Sequence, residues 1–396
     1  MLAASSNRQP LWRCLISLFC LIQCIAAYQT LSEDTLKLLP QPGNDFDIHE
    51  GNLLAPILRT RVPGSAGSAA VLNHFNDFFK TSLPDWTIEL QNSTSKTPVT
   101  GKKEVPFVNF IAYRDPPWAS KGDVGRLTLV AHYDSKLHPE GFIGAIDSAA
   151  PCAMIMHAMR SIDAALTRKW NDMEAQGNLD SGLEAYTGIQ VFFLDGEEAF
   201  NTWTDSDSLY GARSLAETWE RTPHSSMSIF KTPLSSITLF VLLDLLGSKN
   251  PTIQSYFPTT HWAYQSLAEL ESRLRAVKQF KSSPNYEGGK EVNEPQWLVD
   301  AKTSEHSLKP WTAIQDDHIP FLRRGVDILH IIDTPGRASF PTVWHTIKDD
   351  GEHLDIATVE DWGMLMTAFA AEWMELEGYF GEPHSTEKLS SRKTEL

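Results

Sequence analysis

The chain has 396 residues, 42% of them hydrophobic and 21% charged, with a formal net charge of -16. This is the composition of a folded globular protein, long enough to bury a large core. The acidic balance excludes a nucleic-acid binder, because affinity for phosphates needs clustered Lys and Arg, and it says little about substrate.

In chain order, a targeting signature comes first. Arg8 and Arg13 precede a short apolar run from Leu15 to Ile25, closed by Ala26 and Ala27. Ser17 and Gln23 interrupt the run, which favours a cleaved secretory signal over residues 1–27. An N-terminal anchor in a secretory-pathway membrane is the alternative. Secretion is the expected localisation, with no membrane association after cleavage. Residues 28–50 are polar with a few leucines and read as a lead-in across the surface. Arg61-Val62-Pro63-Gly64-Ser65-Ala66-Gly67 is a turn-rich segment. Val71, Leu72, Phe75, Phe78 and Phe79 predict a helix over 68–83. Alternation predicts an edge strand over 86–90, a polar hairpin connection over 92–101 and a strand over 105–113. Asn92-Ser93-Thr94 is a glycosylation acceptor in that connection.

Residues 125–131 predict a central strand delivering His132-Tyr133-Asp134-Ser135-Lys136. After Asp147, Pro151 suits an early helical turn, with the helix body over 154–166 and a solvated helix end and loop over 170–187. Further helices are expected over 208–220, 264–277 and 354–379, with a short one after Pro320. Strands are expected over 237–243 and 326–332. Residues 281–308, rich in polar residues, Gly and Pro, receive no secondary structure. Strands alternating with helices predict an α/β fold with helices on both sheet faces. A single catalytic domain over 28–384 and a polar tail over 385–396 are expected. No Gly-x-Gly-x-x-Gly follows a strand and no Gly-Lys-Ser/Thr loop is present, so nucleotide binding loses its usual support. Three of the four cysteines, Cys14, Cys20 and Cys24, lie in the expected signal. Cys152 alone remains, so no intrachain disulfide can form and stability must come from the core.

The most informative stretch is Ile189-Gln190-Val191-Phe192-Phe193-Leu194-Asp195-Gly196-Glu197-Glu198. A buried strand ends in a sharp turn followed by two adjacent carboxylates, where open α/β sheets place their sites. Crowded, partly buried acids need a metal or a proton to offset them, although acids also favour a helix's first turn. Other strand ends carry His132 and Asp134, Asp244 and His345, with Asp147, Asp316 and His318 nearby. Together they offer the oxygen and imidazole donors that zinc accepts. The residues alone leave open a zinc hydrolase, a non-metal carboxylate enzyme and a binding protein.

Gly196-Glu197-Glu198-Ala199-Phe200, with the segment His132 to Lys136, resembles the zinc-dependent exopeptidase superfamily. Asp147-Ser148-Ala149, Asp205 to Gly211, Leu243 to Gly247, Gln315 to Val326 and Val343-Trp344-His345-Thr346 narrow the resemblance to glutaminyl-peptide cyclotransferases of the secreted animal type. That resemblance implies a three-layer α/β/α sandwich around a mixed, mostly parallel sheet. It implies one Zn2+ held by Asp147, Glu198 and His345, with Glu197 as general acid/base. Asp244 and Asp316 match hydrogen-bonding acids near the reacting amide, and Trp203, Phe340 and Trp344 match walls of the substrate pocket. The implied partners are peptides or proteins with N-terminal Gln, acted on by a monomer and cyclised to pyroglutamate with loss of ammonia. His132 matches a second-metal ligand of two-zinc aminopeptidases, and is read here as structural. Relatives carry a disulfide near the site, for which Cys152 matches one half and Ala131 stands at the other, so the cross-link is absent. Gly336 to Ser339 and residues 281–308 read as extra length. A zinc aminopeptidase of the same superfamily and a catalytically inactive secreted binding protein are the rival readings.

Overall fold

The computed structural model describes residues 30–179, 186–308, 314–336 and 339–381. At its centre is a six-stranded sheet in the order β1-β2-β4-β3-β5-β6. The strands are β1 Thr87–Lys96, β2 Glu104–Arg114, β3 Gly125–His132, β4 Thr187–Leu194, β5 Ile237–Asp244 and β6 Ile328–Ile332. β4, β3, β5 and β6 run parallel, while β1 and β2 form an antiparallel hairpin that joins β4 antiparallel. The sheet is therefore mixed and mostly parallel, as expected.

The parallel strands are covered on both faces, which is why they read as nearly continuous apolar runs. The helices are α1 Glu33–Leu38, α2 Ala66–Ser82, α3 Ala150–Gln176, α4 Tyr210–Arg221, α5 His261–Ala276, α6 Ile319–Leu322 and α7 Ile356–Trp373. Leu127, Leu129, Val191, Phe193 and Val241 point into one core with α2, α3, α5 and α7. Val130, Phe192, Leu194, Phe240 and Leu242 point into the other with α4 and α6. The two-residue period of each strand thus feeds two helix layers, giving the α/β/α sandwich.

Several boundaries differ from the expectation. β1 continues through Asn92 to Lys96, and the hairpin turn falls at 97–103. The polar residues fit a strand because β1 is a sheet edge with no buried residue. α3 begins at Ala150 with Pro151 in its first turn and runs to Gln176, where Gly177 at φ 70 closes it; Trp170 and Met173 remain buried. β6 begins at Ile328 and α7 ends at Trp373. Residues 281–308 carry no strand or α-helix, yet the segment is pinned: the amides of Trp297 and Leu298 donate to the buried Glu271 carboxylate at 2.7 and 3.2 Å.

The expected surface lead-in is a strap across the domain, mostly exposed, whose apolar side chains are anchored in the core. Leu31, Leu36, Leu39 and Phe46 are each no more than 2% exposed. The Leu31 amide donates to Glu372 Oε1 of α7 at 2.9 Å. Asp45 pairs with His157 of α3 at 2.9 Å and with Arg160. Scattered leucines among polar residues carry no periodicity, so only tertiary contact reveals their burial. The expected signal, the polar tail, and Arg337 and Ala338 of the extra loop lie outside the described residues. Among the described residues, no helix is long and apolar enough to cross a membrane. Cys152 is free and buried, with Sγ 3.3 Å from the His132 carbonyl.

Candidate active site

The parallel strands deliver their chemistry at one edge. β3 ends at His132, β5 at Asp244, and β4 at Leu194 immediately before Asp195-Gly196. Gly196 has φ +75, and a Cβ there would lie 2.4 Å from the Phe107 ring, so this turn requires glycine. The turn aims the amides of Glu197 and Glu198 at Asp134, whose two carboxylate oxygens accept them at 3.0 and 3.1 Å. Burial pushes the Asp134 carboxyl up, but His132 and the two amides outweigh it and hold Asp134 below its ordinary value.

Asp147 comes from the connection between β3 and α3, Glu198 from the loop after β4, and His345 from the loop before α7. One donor atom from each lies within 4.8 Å of the others. His345 Nε2 is 3.5 Å from both Asp147 Oδ2 and Glu198 Oε1. Those two oxygens are buried without a hydrogen-bond partner. The opposite oxygen of each carboxylate is engaged: Asp147 Oδ1 meets His132 Nε2 at 2.9 Å, and Glu198 Oε2 accepts from Lys136 Nζ at 3.0 Å. Two orphaned oxygens and an imidazole nitrogen converging on one point fit a metal ion. Burial and neighbouring Glu198 push Asp147 up to about 6. His345 sits at φ 56, a region uncommon for a side-chain-bearing residue and frequent at functional sites. Its ring stacks on Trp344, centroids 3.8 Å apart.

Glu197 lies beside this group with a different character. Burial raises its carboxyl well above the ordinary value, helped by Glu198, Asp316 and Asp317. For Asp244, burial is outweighed by His132 and Ser148, which hold the carboxyl low; Ser148 Oγ and the Leu245 amide both donate to its Oδ1. Asp316 Oδ2 meets His330 Nε2 at 2.7 Å and Oδ1 accepts from the Asp317 amide at 2.6 Å. Burial and Asp244 raise Asp316. Asp317 is fully buried, both its oxygens lack partners, and burial with Asp316 raises it well above the ordinary carboxylate value. His132, Asp147 and Asp244 form another group of donors within 4.8 Å, as do Asp316, His318 and His330.

A cavity of about 690 Å³ opens over these residues. Asp147, Glu197, Glu198, Asp244 and His345 line it, together with Trp203, Phe340 and Trp344. The structure therefore brings these eight expected site residues together and places the three aromatic residues on a cavity wall rather than in the core. Asp316 does not line the cavity, whereas its neighbour Gln315 does. Trp203 Nε1 donates to Gln315 Oε1 at 2.9 Å, tying the glutamate loop to the segment before α6. Lys136, Asp317 and His330 receive no role from sequence, and Asp134 only a place among the candidate metal donors. Asp134 and Lys136 stand in the motif after β3 and Asp317 adjoins Asp316, so adjacency marked them. His330 reads only as a strand residue.

The fold and site define an α/β protein with a buried carboxylate–histidine centre capable of holding a metal at its sheet edge. The family described as Peptidase family M28 matches residues 117–370. A glutaminyl-peptide cyclotransferase-like protein of Bos taurus is 38% identical over 327 residues, covering 82% of this chain and 74% of the relative. A glutaminyl-peptide cyclotransferase of the same species is 35% identical over 337 residues, covering 82% and 81%. The crystal structure of Macrostomum lignano glutaminyl cyclase superposes with a TM-score of 0.69 at 27% identity, covering 89% of this chain and 96% of that one. The chain belongs to peptidase family M28, within its glutaminyl-peptide cyclotransferase branch.

Proposed function

We propose that the protein cyclises the N-terminal glutamine of peptides and proteins to pyroglutamate, releasing ammonia. The observation that carries this reading is the contrast in surroundings between the adjacent glutamates. Glu198 offers an orphaned oxygen toward Asp147 and His345, whereas Glu197 is a buried carboxyl of raised proton affinity. Asp147, Glu198 and His345 would hold one Zn2+, the ion suited to two carboxylates, one imidazole and an open position. When bound, the ion supplies Lewis acidity at the substrate's γ-carbonyl.

In this reading the α-amine of the glutamine attacks its own side-chain amide carbon. The ring C–N bond forms, the amide C–N bond breaks and ammonia leaves. Glu197 takes the proton from the amine and returns it to the leaving nitrogen, a task suited to a buried carboxyl of raised proton affinity. Asp244, held ionised, lines the cavity and accepts an N–H of the leaving nitrogen, with Asp316 fixed behind it by His330. Trp203, Phe340 and Trp344 enclose the first residue of the peptide and exclude water. Nucleophile and electrophile belong to one residue, so the ring closure is intramolecular. Asn92, exposed on β1, is the proposed glycan acceptor.

An aminopeptidase would use the His132, Asp147 and Asp244 group for a second ion. The test treats a glutamine-first peptide with the protein, with and without a chelator, while quantifying bound metal. Ammonia release without chain shortening, lost on chelation and with one zinc per chain, is the expected result. Release of free amino acid with two ions bound would establish the aminopeptidase instead, and a zinc-loaded protein without turnover would leave only a binding role.

A further inference from the structure

The turn-rich segment at Arg61 and the carboxyl group of Asp349 take no part in the chemistry above. Both nevertheless close on the connection that carries Asp147. Arg61 is fully buried. Its guanidinium donates to the carbonyls of Ile143, of Gly144 at 2.9 Å and of Asp147 at 3.3 Å. Its own amide donates to Ser135 Oγ at 2.8 Å, so one residue grips both the motif after β3 and the Asp147 connection. From the other side, Asp349 takes the amides of the same connection. Its backbone carbonyl accepts from Ala145 at 3.1 Å and its Oδ1 from Ile146 at 2.7 Å. Asp349 stands in the turn that follows His345, its amide bonded to the Thr346 carbonyl at 3.0 Å.

This arrangement answers a physical need. Asp147 and Glu198 are crowded acids that repel each other, and a free connection would let Asp147 retreat. Carbonyls gripped by a buried cation, and amides held by the backbone carbonyl and the carboxyl group of Asp349, leave the backbone no such freedom. A guanidinium suits the task because its planar fork reaches several carbonyls at once, which an ammonium does not. We propose that Arg61 is a positioning residue for the metal centre: with Asp349 as its counterpart, it fixes the 143–147 backbone so that Asp147 Oδ2 keeps facing Glu198 Oε1 and His345 Nε2. The proposal rests on the reading of Asp147, Glu198 and His345 as the ligands of one zinc ion.

The test measures zinc affinity of the full protein by competition with a chromophoric chelator. It compares wild type with Arg61→Met, Arg61→Lys and Asp349→Ala, and uses melting of the zinc-free proteins as the measure of folding. Arg61→Met is expected to weaken zinc about 10–100-fold, in the range set by loss of outer-shell partners. Arg61→Lys and Asp349→Ala should weaken it less, with kcat at saturating zinc falling and KM little changed. Should Arg61→Met fail to fold, the other two variants carry the test. Lowered melting with wild-type zinc affinity in both overturns the proposal, since it assigns Arg61 to the scaffold alone. A wild-type protein that binds no zinc, or a His345→Ala variant that keeps it, removes the ligand assignment and the clamp with it.

Discussion

Replacing Asp134 by Asn isolates the support beneath the glutamate pair. Asp134 is fully buried and accepts the amides of Glu197 and Glu198, one on each oxygen, at 3.0 and 3.1 Å. Asn keeps the shape but turns one acceptor into a donor. One amide loses a charge-assisted hydrogen bond, worth about 1.5–3 kcal/mol, and is left buried and unsatisfied at a further cost of about 1–3 kcal/mol. A total of about 3–5 kcal/mol matches the usual consequence of breaking a buried charged pair. In a domain of this size that lowers the melting temperature by roughly 4–7 °C. Displacement of Glu197 by about 1 Å should cost about 100-fold in turnover. Differential scanning of the zinc-loaded protein and ammonia release measure the two effects. The pH dependence has a defined sign. Asp134 is held below its unfolded value of about 3.9, so its contribution is complete above that pH and fades only below it. The gap between Asp and Asn should therefore stay constant through neutral pH and narrow in strong acid. An Asn variant that melts within about 1 °C of wild type, the range of an inert surface change, and turns over normally would refute the reasoning.

Glu197→Gln should abolish ammonia release while metal analysis still finds the ion, because Glu197 is not one of the three converging donors; ordinary rates in that variant exclude the proton-carrier role. His345→Ala should lose both metal and activity, and full metal retention on dialysis would remove it from the ligand set. Asp333, whose carboxyl accepts the Thr252 amide at 2.8 Å, is pushed by burial up to about 7. A raised acid costs stability as pH climbs from its unfolded value to its folded one. Asp333→Asn should therefore match wild type near about pH 4 and exceed it by up to ~4 kcal/mol near about pH 8; a pH-independent difference in urea unfolding contradicts this. Burial also pushes the Cys152 thiol up to about 12, so iodoacetamide should label it only after denaturation, and peptide mapping without reductant should then show Cys152 alkylated.

The parallel strands were legible because double-sided burial leaves a continuous apolar run, as in Leu239 to Leu243. The site was legible for the same reason, since acids stand out when they directly follow such runs. Residues alone nevertheless stopped at a class of chemistry, and the separate roles of Glu197 and Glu198 entered through family resemblance. The structure gives the two carboxylates different surroundings, an unpartnered oxygen facing two donors at Glu198 and a raised proton affinity at Glu197. β1 was read short because Asn92 to Lys96 lie on an exposed edge, where nothing forces apolar alternation. Arg61 and Asp349 were illegible because their partners lie 82 and 203 positions away, and no local pattern encodes such contacts. Asp316 is legible as an acid near the site, but its pairing with His330 of β6 rather than the cavity depends on how that segment folds before α6.

The strap has a consequence for how the chain is made. The hydrogen bond from Leu31 to Glu372 joins residues 341 positions apart, and Phe46 rests on Gly363 of α7. The ribosome therefore releases the strap's apolar groups long before their seat exists. At about 5–20 residues per second the delay is roughly 20–70 s. During that interval Leu31, Leu36, Leu39 and Phe46 are exposed on an unfinished chain. A nascent polypeptide truncated before α7 keeps them exposed permanently, which makes it a target for holding chaperones and for degradation. Among the described residues, the last helix to be synthesised is thus the one on which the earliest segment settles.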